Sequence, residues 1–135
     1  MTDPLAPWQP SAADPFDLRK AGHLLRRAGF AASLAVRSDL ARQGLDAAIA
    51  HVAPPAADQA PAAALLQEAI AFGDIQRIFA FRVWLALQGS EPLRERMAIF
   101  WHGHFATSDQ KLRDPRAMAL QLATFDRLGL GRFDE

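Results

Sequence analysis

Apolar residues recur at helical spacing along almost the whole chain, and no stretch alternates polar and apolar residues with the period of two that marks a half-buried strand. Asp17 suits the cap of a first helix, on which Ala21, Leu24, Leu25 and Ala28 share a face and which Gly29 ends. Phe30 then turns the chain back towards a core. Ser33 caps a second helix carrying Leu34, Val36, Leu40 and Ala41, which stops at Gly44. A short third helix carries Leu45, Ala48, Ile49 and Val52 and is ended by Pro54 and Pro55. The most apolar region follows, from Leu65 to Leu87, with Gly73 marking a kink or a break, and its most apolar run, Ile78 to Leu87, is interrupted by Arg82. Its apolar residues cover well over half of a helix surface, so it is predicted to be the central helix, buried between others. Gly89 and Ser90 separate it from a fifth helix that opens at Glu91 and Pro92, with Leu93, Met97, Phe100, Trp101 and His104 on one face. Thr107 to Asp114 reads as a loop. A sixth helix runs from about Pro115, with Ala117, Leu120, Gln121, Thr124 and Leu128 on one side, and Gly129 and Gly131 close it. The fold class is therefore all-α: an irregular array of about six helices, predicted to be part of a larger helical domain.

Two segments stand outside this pattern. Residues 1–15 contain Pro4, Pro7, Pro10 and Pro15 and form a proline-rich arm, with Trp8 as the residue that docks it on the body. Residues 53–64 are almost all Ala, Pro, Asp and Gln, the composition of a flexible surface linker. The helical domain spans residues 16–135. Half of the 135 residues are hydrophobic, enough for one modest core and too few for two domains.

Charge and cysteine content narrow the function classes. Lys plus Arg and Asp plus Glu both number 15, so the formal charge is zero and there is no basic excess to favour nucleic acid or an anionic membrane. With no Cys, disulfides, thiolate nucleophiles and Cys-based zinc sites are excluded. The N-terminus lacks the apolar core of a secretory signal and no segment is apolar enough to span a membrane, which makes the cytoplasm the simplest location for the chain as written. The charge is uneven, however. Arg19, Lys20, Arg26 and Arg27 form a basic block around His23. Such a block reads as a solvated face or, if functional, as an anion site built on Arg19, Arg26 and Arg27.

The most unusual segment runs from Phe100 to Phe105, Phe-Trp-His-Gly-His-Phe. On a continuous helix His102 and His104 point roughly 200° apart and cannot share a metal. If Gly103 ends the helix in a left-handed conformation, both imidazoles can approach one site. Zinc or iron would then need a further ligand, for which Asp109, Asp114, His23 and Glu95 are the candidates. The alternative is structural: imidazoles at a helix end, each giving a ring N–H to a carbonyl. Phe100, Trp101, Phe105 and Trp84 read as a structural aromatic cluster, with the two indoles donating to buried acceptors. Ser108 and Asp109 read as a turn pair, since there is no nucleophile elbow and no strand to present one. Glu91 and Glu95, alternating with Arg94 and Arg96, read as a solvated or paired face. No phosphate-binding loop, dinucleotide fingerprint or metalloprotease motif is present. No catalytic residue is assigned.

Two of these segments, with the tail from Met118 to Phe133, carry a resemblance. Asp17–Phe30 reads DLRKAGHLLRRAGF, and Pro92–Ser108 reads PLRERMAIFWHGHFATS. In this order they resemble the N-terminal part of the bacterial family of domains of unknown function numbered 1800 (DUF1800). That family often has Asn where this chain has Gly103. The resemblance implies an α-helical fold and a bacterial source. It brings no substrate. It also implies a continuation beyond residue 135 into a further helix, so the chain is expected to be a fragment.

Two readings of function compete. One is a non-catalytic interaction or scaffold module, in which incompletely covered apolar helices bind a protein partner or a second copy. The other is a metal-dependent, hydrolase-like enzyme with His102 and His104 as ligands and its remaining site residues further along a longer chain. No cofactor is evident beyond that divalent metal, and whether the protein is an enzyme is left open.

Overall fold

The computed structural model describes residues 6–55, 67, 70–105 and 113–132. Six helices have both ends among them: α1 (Leu18–Ala28), α2 (Leu34–Gln43), α3 (Leu45–Val52), α4 (Ile75–Gln88), α5 (Pro92–His104) and α6 (Pro115–Leu128). No strand occurs among the described residues, and the fold is the all-α array expected from the periodicity. Most of the linker at 53–64, residues 107–112 of the expected loop with Ser108 and Asp109, and Leu65, Leu66 and Ala69 lie outside the described residues.

Helix ends follow local chemistry. The Asp17 carboxylate accepts the Lys20 N–H at 2.8 Å, and the Ser33 hydroxyl accepts that of Val36 at 3.3 Å. Each satisfies a donor that the first turn leaves orphaned. Asp74 and Asp114 do the same for α4 and α6. Gly44 lies at φ 97°, a backbone that side chains resist, and it ends α2 while opening α3 directly. Gly29 ends α1 on extended backbone, and the left-handed residue is instead Ala31 at φ 79°, whose N–H reaches back to the Leu25 carbonyl.

The apolar interior comes in two parts. Leu25, Leu40, Ala48 and Val52 form the first, at the junction of α1, α2 and α3, flanked by Phe16, Leu24, Ala28 and Val36. Ile78, Ala119 and Leu122 form the second, between α4 and α6. The two parts meet where α1 abuts the start of α5. A Cβ at Gly29 would lie 3.1 Å from Pro92, so a larger residue there would crowd the approach. Arg96 fastens it, donating from Nη1 to the Gly29 carbonyl at 2.7 Å with its guanidinium near the Phe30 ring.

Several expected faces are corrected. The apolar region breaks at Gly73, and α4 is not a central helix: only Ile78 and Arg82, one turn apart, are buried on it. On α5 the inward seam is Pro92, Glu95 and Ala98, while Phe100 and His104 of the expected face are exposed. On α6 it is Met118, Ala119 and Leu122, while Leu120 and Leu128 are exposed. The reason is common to all three. These helices carry apolar residues on more than one side, so periodicity cannot choose which side turns in. A long-range pairing of charges makes the choice.

Candidate functional site

That pairing lies at the centre of α4, α5 and α6. Arg82 extends inward from α4 and is 8 % exposed. Its Nη1 donates to both carboxylate oxygens of Asp126, at 2.9 and 2.7 Å. Its Nη2 lies 2.9 Å from Oε2 of Glu95, which is 6 % exposed, in an ion pair without hydrogen-bond alignment. Arg94 closes the group, donating from Nε to Glu91 and from Nη1 to the Asp126 backbone carbonyl. Two guanidinium groups thus face three carboxylates, leaving one negative charge in surplus. Burial pushes Glu95 up to about 7 against the pull of Arg82. Burial likewise raises Asp126. A half-aligned ion pair gains little against its desolvation, which is why burial outweighs the pull of Arg82 at Glu95.

The residues singled out in the sequence are placed as follows. Helix α5 continues through Gly103 to His104, and Gly103 is not among the positive-φ residues, so the expected helix end at Gly103 is corrected. His102 and His104 therefore leave the helix on different sides, and the structure does not bring them together. His104 is exposed and lies among Phe100, Trp101 and Phe105, at ring separations of 6.1, 5.8 and 5.1 Å. His102 is half-buried, with Nδ1 shielded and unbonded. Of the candidate third ligands, Glu95 faces Arg82, Asp114 caps α6 and His23 lies on α1; Asp109 is outside the described residues. No group of three or more His, Asp or Glu suited to a metal occurs among the described residues.

The aromatic cluster forms, with one member exchanged. Trp101 packs edge-on to Phe100 and stacks on Phe105, which stacks on Phe125 of α6. The Trp101 indole N–H is a satisfied donor as expected, and its acceptor, the Gly129 carbonyl at 3.0 Å, ties the ends of α5 and α6 together. Trp84 stands apart, stacked on Phe81 and 44 % exposed. Between the two helix ends lies an apolar groove of about 200 Å³, lined by Trp101, Phe105, Phe125 and Leu128.

Arg19, Arg26 and Arg27 do converge. With Lys20, His23 and the exposed Trp8 they border a groove of about 810 Å³ along α1. The Trp8 indole donates to Asp14 at 2.9 Å and Lys20 sits over its ring, so the arm is docked through its own residues and the first turns of α1. Lys20 also bonds Asp14, which holds that exposed carboxyl below its usual range.

A third feature is the outer side of α4. Phe79, Val83, Trp84 and Leu87 are exposed there, Leu87 by 80 %. From Ile78 to Ser90 the sequence has one charged residue, Arg82, and that one points inward. Beyond its first turn, where Arg77 is exposed and paired with Asp74, the outer surface of α4 is thus both apolar and uncharged.

Sequence reasoning missed the Arg82–Glu95–Asp126 group. Its one signal was Arg82 itself, a lone charge in an apolar run, which burial permits only if the charge is paired.

The comparisons with known proteins agree with the fold and add no activity. Residues 23–135 match the family model of DUF1800, described as a protein of unknown function, and the chain belongs to that family. No curated protein and no solved structure matches. No helix among the described residues is long and apolar enough to cross a membrane.

Proposed function

We propose that this chain is a helical interaction module that self-associates through the outer face of α4, with α4 of a second copy as the occupant. The observation that supports the reading is the run of large exposed apolar side chains from Phe79 to Leu87 on that face, with its one charge, Arg77, confined to the first turn and paired with Asp74. Contiguous exposed apolar surface of this kind marks interaction sites in soluble proteins. Phe79, Val83 and Leu87 follow one another at four-residue steps, the register of a helix presented to another helix. A second copy suits the face because an isologous contact sets apolar against apolar, and because a chain of zero formal charge does not repel its own kind. Of the apolar residues of α4 the interior takes Ile78, beside the inward Arg82, so Phe79, Val83, Trp84 and Leu87 are left for an external contact.

The test is sedimentation velocity of the full chain over a wide concentration range, beside the Val83→Glu, Leu87→Glu double variant. Wild type should sediment faster as concentration rises. The double variant, carrying two carboxylates at exposed positions, should stay monomeric with unchanged helix content. A wild-type chain that remains monomeric throughout would remove self-association as its function.

A further inference from the structure

We infer that the junction of α1 and α2 is a binding site for a small phosphate monoester, with its phosphate on Arg19, Arg26 and Arg37. This site is remote from the α4 face and does not depend on it.

Arg19, His23 and Arg26 fall at i, i+4 and i+7 of α1 and share one side of it. Arg37 comes from α2, crossing α1 at Gly22. A Cβ added at Gly22 would lie 3.3 Å from Arg26 Nη1, 3.3 Å from Arg37 Cδ and 3.6 Å from Arg37 Nη1. Two guanidinium groups thus rest on the same stretch of bare backbone, an arrangement that any larger residue would crowd. Together with Arg19 and Asp17 they line a cavity of about 440 Å³. Among the described residues no carboxylate is within ion-pair distance of Arg19, Arg26, Arg27 or Arg37. Asp17 is the single acid in the cavity wall, and one of its oxygens is held by the Lys20 N–H. The three cavity arginines therefore outnumber its acid by two charges. The Nε of Arg37 is shut off from water and has no acceptor.

Clustered arginines without carboxylates repel one another, and a buried donor without an acceptor carries a desolvation cost. An oxyanion offsets the first and polarises the guanidinium that suffers the second. Planar guanidinium forks match the spaced oxygens of a phosphate, and a dianion fits a surplus of two charges. The ester's organic part has a place as well. Arg19 and Arg26 also border the larger neighbouring groove, whose apolar wall is Trp8, Phe16, Leu24 and Leu45. A ligand with its phosphate at Gly22 can lay a planar or apolar group along that wall.

The test is isothermal titration of the full chain with inorganic phosphate and with AMP, at fixed ionic strength in chloride. Both should saturate a single site, AMP more tightly. Arg26→Gln and Arg37→Gln should each weaken both ligands at least ten-fold, and Gly22→Ala should weaken them by displacing the same two side chains. Arg19→Gln, at an exposed position, keeps the test valid if a variant at the junction fails to fold. Arg127→Gln, the same charge removed from the far end of α6, should leave both affinities unchanged. Trp8→Ala should lower the affinity for AMP and leave that for phosphate alone. Absence of saturable binding of either probe to wild type, or equal losses in Arg127→Gln and Arg26→Gln, would overturn the assignment. So would retention of the protein on phosphatidic acid vesicles with neither soluble probe bound.

Discussion

The first three helices and the last three solve the same problem in opposite ways. In α1 to α3 apolar side chains turn inward on Leu25, Leu40 and Val52, the helices are capped by Asp17 and Ser33, and the arginines stay outside. In α4 to α6 an arginine and two acids turn inward, and Phe79, Val83, Leu87 and Phe100 stay outside. Burying apolar area stabilises a monomer by itself. Burying a charge group gives one arrangement of three helices with little net gain, because desolvation offsets attraction. The contrast teaches that the same family fold joins helices through an apolar junction in one half and through a mixed apolar and charged one in the other.

The sharpest way to break the contrast is to remove the inward charge. Arg82→Ala leaves Glu95 and Asp126 facing each other in a dry interior, and should cost about 3–5 kcal/mol in urea unfolding. A loss under about 1 kcal/mol would mean that the charges do not hold the second half together. In the first half Leu25→Ala removes a buried side chain from a well-packed junction and should cost about 2–4 kcal/mol. If the halves differ as described, amide exchange in Leu25→Ala should rise first in α1 to α3, and in Arg82→Ala first in α4 to α6.

Next in size is the response to pH. The folded-state value of Glu95 is raised above its ordinary 4.5 to about 7, so the folded state holds its proton more tightly than the unfolded state does. The stability this contributes is complete below about 4.5 and is lost as pH rises through about 7. Asp126, raised in the same direction, adds to the same slope. Urea midpoints measured at steps across this window should therefore fall with pH in wild type. Glu95→Gln, which fixes the neutral form, should flatten the fall. An equal slope in the variant would show that Glu95 stays ionised throughout. The smallest effect belongs to the loop after α1. Ala31 occupies a left-handed conformation that glycine takes without strain. Ala31→Gly should raise the stability by up to about 1 kcal/mol, less the greater freedom of glycine in the unfolded chain.

How much of this the sequence made legible follows from the range of the forces involved. Several helix starts were readable because caps act within four residues: Asp17 on Lys20, Ser33 on Val36, and Pro92 and Pro115 at first positions, whereas the region read as one central helix is divided at Gly73. Most of the core of α1 to α3 was readable from helical spacing, which picked out Leu25, Leu40, Ala48 and Val52, although Leu34 and Ile49 of the expected faces are exposed. The orientation of α4, α5 and α6 was not, since it depends on Arg82 meeting Asp126, 44 residues away, across helices apolar on several sides. Simple periodicity separated His102 from His104, and the exception made for Gly103 is what the structure reverses. At the anion site, Arg19, Arg26 and Arg27 were visible as a block on one helix. Arg37 was not, because only the crossing of α2 over Gly22 brings it there.

The central claim is that the second half of the chain is completed from outside, through α4. Hydrogen–deuterium exchange of the wild-type chain at low and high protein concentration tests it most directly. The account predicts that amides of α4 gain protection as concentration rises while those of α1 to α3 are unchanged. Exchange in α4 that is independent of concentration would contradict it.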